Sequence, residues 1–151
     1  MKLYFYRFII VLLLLILGEG ILGYWFSKEN FGIYMRKERN KKWETITNFN
    51  KKEYKFFYKR NFYGFRGDEF DPKDVKIVFE GGSTGNQRYT PEKYTIVGLL
   101  NQKFKSEYMD LKIYNASTDG KSLKGVIYDF IHWFPKINNF KPQYVIFYLG
   151  I

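Results

Sequence analysis

The sequence predicts an α/β domain of three layers, a parallel sheet between helices, preceded by an N-terminal transmembrane helix. Three observations lead there. An unbroken apolar run fills residues 8–17 and resumes over 21–26. From residue 76 onward, short apolar runs alternate with helix-period stripes in the order β-α-β-α-β. Right-handed crossovers then make the sheet parallel, with helices on both faces. Composition supplies the exclusions: the 151 residues hold no Cys and one His, and 46% are hydrophobic. That rules out a disulfide-stapled miniprotein, a Cys-ligated zinc site and a thiol nucleophile. It also argues against wholesale disorder.

The first element is the anchor, residues 1–26. Lys2 and Arg7 precede the run that Phe8 opens and Leu17 closes, and Gly18-Glu19-Gly20 interrupts it. Ten residues alone fit a signal-peptide core, whereas the whole stretch nearly matches the hydrocarbon thickness. Its Leu, Ile, Val and Phe residues contribute roughly −4 to −8 kcal/mol, against about +3 kcal/mol for Glu19. Insertion wins. Cleavage after Gly20 is the alternative, but Tyr24 and Trp25 sit where an interfacial aromatic anchor belongs. A literal count of flanking Lys and Arg places the following domain in the cytoplasm.

Residues 27–60 read as a basic juxtamembrane tether. Of the 25 Lys and Arg against 15 Asp and Glu, net +10, the excess is concentrated before residue 63. Arg36, Lys37, Arg39, Lys41, Lys42, Lys51 and Lys52 follow directly on the apolar segment. Juxtamembrane cations are drawn to anionic lipid, so the partner they imply is membrane lipid and not nucleic acid. The aromatics of residues 54–65 (Tyr54, Phe56, Phe57, Tyr58, Phe62, Tyr63, Phe65) read as extended structure docking on a core.

The domain itself, residues 61–151, is built from clear signals. Residues 76–80 (KIVFE) form a strand entering the turn Gly81-Gly82-Ser83-Thr84-Gly85. Thr90-Pro91-Glu92 marks a helix start by its hydroxyl cap, proline and early acid. Tyr94, Val97, Leu100 and Phe104 recur at helical spacing after it. Residues 111–115 (LKIYN) predict the second strand and 116–121 a loop. Leu123, Val126, Ile127, Phe130, Ile131 and Phe134 then form an amphipathic helix stripe. Residues 144–149 (YVIFYL) predict a parallel strand buried on both faces. Such a strand is normally covered by a further crossover helix and strand, so three strands and two helices read as an incomplete domain.

Chemistry in such sheets sits at the carboxyl ends of the strands. The turn GGSTGNQ lacks the Gly-Lys-Ser/Thr ending of a Walker A loop and the spacing of a dinucleotide fingerprint. A serine there is either local turn chemistry or a nucleophile presented at a tight strand-to-helix turn.

Asn61, Gly64, Arg66, Gly67 and Glu69 (NFYGFRGDE), then KIVFEGGSTG, NASTDGKS and KPQYVIFYLG, follow one another in order. Together these blocks resemble the opening of the SGNH/GDSL hydrolases, most of all bacterial members with an N-terminal membrane helix. The resemblance runs from Asn61 to the end of the chain. It implies an SGNH/flavodoxin-like fold, Ser83 as nucleophile, and the N–H groups of Ser83 and Gly120 as oxyanion-hole donors. It implies no metal or organic cofactor, an ester-containing substrate, and a domain on the extracytoplasmic side. The family continues after Gly150 with Gly-x-Asn-Asp, whose Asn is a third donor, and later with an Asp-x-x-His block holding the base. Neither is present here, so no residue of this chain is assigned as base and the chain alone is expected to be inactive. Asn115-Ala116-Ser117 stands where the family has Asn-Ala-Gly, and Thr84-Gly85 where it often has Thr-Thr.

The expected identity is therefore the N-terminal part of a membrane-anchored serine esterase or acyl hydrolase. Two alternatives remain, a carbohydrate O-acyltransferase or deacetylase accessory protein, and a noncatalytic membrane-tethered interaction module. His132, beside the helical stripe, reads as structural or surface histidine. Arg66 and Glu69 are expected to pair ahead of the first strand. Asn115-Ala116-Ser117 is formally a glycosylation sequon, poorly placed at a strand end facing a crevice.

Overall fold

A computed structural model of the chain describes residues 2–22, 38–49, 51–107 and 111–149. Helix α1 (Lys2–Leu22) has 21 residues, a rise of about 32 Å against a hydrocarbon core of about 30 Å. Its segment Tyr4–Ile21 is long and apolar enough to cross a membrane. Phe8 and Leu17 are exposed, like most other large apolar residues of this segment. A helix with apolar residues all around it suits lipid, as an anchor or a signal sequence. Tyr24, Trp25, Arg36 and Lys37 lie outside the described residues.

Residues 41–49 and 52–60, read from sequence as tether, pair as two antiparallel strands. Strands β1 (Lys41–Phe49) and β2 (Lys52–Arg60) pair with Lys41 opposite Arg60 and Phe49 opposite Lys52. The lysines hid a period-2 alternation. One face turns Thr45, Tyr58 and Arg60 inward, and Trp43 stacks on Tyr58 at 4.5 Å. Arg39, counted as a solvated cation, is buried, with its guanidinium 5.8 Å from the Phe62 ring. Of the 54–65 aromatics expected to dock on a core, Tyr58 and Phe65 are buried, whereas Phe57 and Phe62 are exposed.

The second sheet is parallel: β3 (Ile77–Gly81) lies between β4 (Ile113–Asn115) and β5 (Tyr144–Tyr148). A single turn, α2 (Ser83–Asn86), follows β3, and α3 (Ile96–Ser106) and α4 (Leu123–His132) are the crossovers. Alternation along β3 divides the core in two. Ile77 and Phe79 pack with Ile113 and with Val97 of α3. Val78, on the other face, joins Val75, Phe65, Ala116, Trp133, Phe134 and Ile137. The Trp133 indole N–H donates to the Tyr63 carbonyl at 2.9 Å, so a large ring is buried without leaving its donor unpaired.

Four details differ from the sequence reading. The β4 strand begins two residues later than expected. The α3 helix starts at Ile96, with the Thr95 hydroxyl accepting from Gly98 N at 2.9 Å, while residues 92–94 make a separate 3-10 turn. Only Val126 of the predicted stripe is buried within α4; Leu123, Ile127, Phe130 and Ile131 are exposed, and Phe134 is buried beyond the helix. Strand β5, expected to be buried on both faces, is an edge with Tyr144, Ile146, Phe147 and Tyr148 exposed. Its composition suits a strand with neighbours on both sides, and among the described residues β3 fills only one.

Candidate active site

Ser83 is the first residue after the Gly81-Gly82 pair that ends the central strand, and it is exposed. A side chain is blocked at the first of these glycines and crowded at the second. A Cβ on Gly81 would lie 2.4 Å from the Tyr148 carbonyl oxygen, and one on Gly82 3.2 Å from that of Lys121. The loop after β4 is laced to the same strand end. Ala116 N donates to Phe79 O at 2.8 Å, and Thr118 N to Gly81 O at 3.1 Å. Gly120 in this loop has φ +72, the left-handed region that favours glycine. A cavity of about 220 Å³ is bounded by Ser83, Gln87, Arg88, Tyr89, Thr90 and Asp119. The turn of Ser83 and the loop of Gly120 therefore meet at one crevice.

Beneath the turn lies a polar clamp. Arg66, its side chain 1% exposed, donates to the carbonyls of Asn86, Gln87 (2.7 Å) and Thr90 (2.6 Å) and to Glu92 (2.7 Å). Arg60 donates to the carbonyls of Gly64 (2.9 Å) and Ser117 (2.9 Å). The Asn86 amide accepts from the Tyr58 hydroxyl at 2.8 Å and donates to Asp119 at 2.8 Å. Asp119 also pairs with Arg88 at 2.8 Å, whose guanidinium lies 5.5 Å from the Trp43 ring. The hairpin thus braces the segment 86–90 that follows Ser83.

A second group of charges is buried behind the turn. Lys121 Nζ is 2.7 Å from Glu80 Oε1 and also contacts Asp129 Oδ2, with both carboxylates fully buried. One ammonium cannot neutralise two carboxylates. Burial, with Asp129 adding to it, holds Glu80 up at about 8 against the pull of Lys121 and Arg60. Glu80 is then protonated at neutral pH. Between the unfolded value of 4.5 and about 8, the folded state keeps a proton that the unfolded state releases. Stability from this group is therefore full at low pH and falls as pH rises through that window. The urea midpoint should decline between about pH 5 and pH 8, and Glu80→Gln should flatten that decline.

The structure brings Ser83 and Gly120 to neighbouring loops. Arg66 and Glu69 do not pair: Arg66 reaches Glu92, and Glu69 accepts from Phe62 N at 2.8 Å. His132 is the last residue of α4, its ring 3.9 Å from Tyr128, and it does not line the Ser83 cavity. Asn115 is buried, its amide donating to Gly85 O at 3.0 Å, which makes it a turn support and a poor glycan acceptor. Gly150 and Ile151 lie outside the described residues. Sequence reasoning missed Arg60, Asn86, Glu80 and Lys121, which have partners far away in sequence, and Asp129, which joins them through Lys121.

Against known protein families, curated proteins and solved structures, the chain has no significant match.

Proposed function

We propose that the chain carries the nucleophile half of a serine acyl-hydrolase centre of the SGNH/GDSL type. It stands on a flavodoxin-like domain held to a membrane by α1 as a single-pass anchor, on the extracytoplasmic side. The observation that carries this reading is Ser83, exposed in the first turn after the central strand and bordering the crevice beside the Gly120 loop. In the reaction Ser83 Oγ attacks an ester carbonyl, and the N–H groups of Ser83 and Gly120 bind the oxyanion. His132 is not the base, so the 151 residues alone should not turn over p-nitrophenyl acetate. Ser83-dependent turnover would refute that.

The positive test uses imidazole as a diffusible base and an activated fluorophosphonate. One adduct should form on Ser83 and disappear in Ser83→Ala; equal labelling of both proteins would sink the reading. An O-acyltransferase would use the same loop and differ only in its acceptor. The second reading, a noncatalytic interaction module, draws on the exposed apolar residues of α4 and β5 and predicts an unlabelled Ser83. The chain has no Cys, so orientation is readable from one introduced thiol. Asn48→Cys, on the outward face of the hairpin, should react with an impermeant maleimide in intact cells. Protection until lysis would place the domain inside.

A further inference from the structure

We propose that Lys121 is a positioning residue of the Ser83 centre, holding the Gly120 loop in register with the nucleophile turn. The inference rests on the reading of Ser83 given above. Lys121 closes the loop of residues 116–121 and is the immediate neighbour of Gly120. Its ammonium turns back under that loop. It donates to Glu80 Oε1 at 2.7 Å, to the Ala116 carbonyl at 3.2 Å and to Asp129 of α4. Glu80 stands three residues before Ser83, and Ala116 opens the loop. The main chain of Lys121 lies against the same turn, its carbonyl oxygen 3.2 Å from where a Cβ on Gly82 would be. One residue thus ties both ends of the loop, the end of β3 and α4 to a single point.

Stability alone is a weak reason for this arrangement. Burying three ionisable groups carries a desolvation cost that apolar side chains of similar volume avoid. Glu80 Oε2 is buried with no hydrogen-bond partner, so the cluster is not even fully satisfied. What it supplies is direction: an ammonium with several oxygen partners fixes the separation of the segments that carry them. Here those segments present the two N–H groups assigned to the oxyanion, where small displacements matter most.

The test uses the full chain in detergent with fluorophosphonate and imidazole, following adduct formation at Ser83 by intact mass, with thermal unfolding in parallel. The paired replacement Lys121→Met with Asp129→Asn removes the ammonium together with the buried carboxylate it contacts, while roughly keeping volume. It should still unfold cooperatively but label roughly ten- to hundredfold more slowly. Lys121→Arg, which keeps the charge, should recover part of that rate. Labelling of the folded double variant at the wild-type rate overturns the proposal. Should the double variant lose cooperative unfolding, Lys121→Arg decides: slower labelling of a folded protein supports positioning, and an unchanged rate overturns it. A wild-type chain that Ser83 labelling never reaches overturns the nucleophile reading, and this inference with it.

Discussion

Replacing Arg66 with Met should destabilise the domain by about 3–5 kcal/mol, a large share of the roughly 5–15 kcal/mol that folded domains have. The guanidinium is buried and donates to three main-chain carbonyls, those of Asn86, Gln87 and Thr90, as well as to the Glu92 carboxylate. Met fills much of the volume but satisfies none of them. Glu92 is half exposed and regains water, so the cost falls on the buried carbonyls. Arg66→Lys should recover only a minor part, because a point ammonium cannot span the fork of directions that these acceptors occupy. Urea unfolding followed by the fluorescence of buried Trp133 measures both variants. A loss below about 1 kcal/mol for Arg66→Met would show that the clamp is dispensable.

Gly81→Ala is the second large effect. The added methyl would lie 2.4 Å from Tyr148 O and 3.3 Å from Tyr148 C, both main-chain atoms of β5. Rotamers cannot relieve a clash with backbone, so β5 must move away from β3, in which Gly81 lies opposite Tyr148. Overpacking of this kind costs about 1–3 kcal/mol, and the upper end is expected where the partner is a strand. Gly85→Ala offers the comparison. Its methyl would meet Ser117 Oγ at 2.5 Å and Phe79 Cε1 at 2.9 Å, side chains that have some freedom to turn. The loss on Gly81→Ala should exceed that on Gly85→Ala, with amide exchange accelerated along residues 144–148. The reverse order would mean that β5 yields more readily than the turn.

Both predictions converge on the elements around Ser83. Asn86, Gln87 and Thr90 beyond it are gripped by Arg66, and the glycine two before it is wedged against β5. A serine presented this way has little freedom to drift, which is what a nucleophile needs. The same rigidity serves a tight turn with no chemistry, and the labelling experiment separates the two.

Much of the architecture was legible because it is periodic. The apolar run of α1, the strand at 77–81 and the stripe reaching Val126 are local patterns, read with a period of two or 3.6. Where local signals competed, reading along the chain chose wrongly. Thr90-Pro91-Glu92 looks a better helix start than Thr95, yet Arg66 takes Thr90 O and the Glu92 carboxylate, and the helix begins after them. Lys41 and Lys42 disguised β1, whose strand character depends on β2 across the hairpin. The β5 run has the composition of a central strand and lies at an edge, because pairing belongs to neighbours and not to the strand itself.

The sequence by itself determined the apolar character of α1, the β-α-β-α-β order, the glycine turn bearing Ser83 and the loop bearing Gly120, since each is written in neighbouring residues. Only the tertiary structure decided which charges are buried and what holds the turn. Arg60 meets Ser117 across 57 positions and Lys121 meets Glu80 across 41. Lys, Arg and Glu read as surface in any local window. They become interior only where a distant partner removes the cost of leaving water, and that partner is found by folding alone.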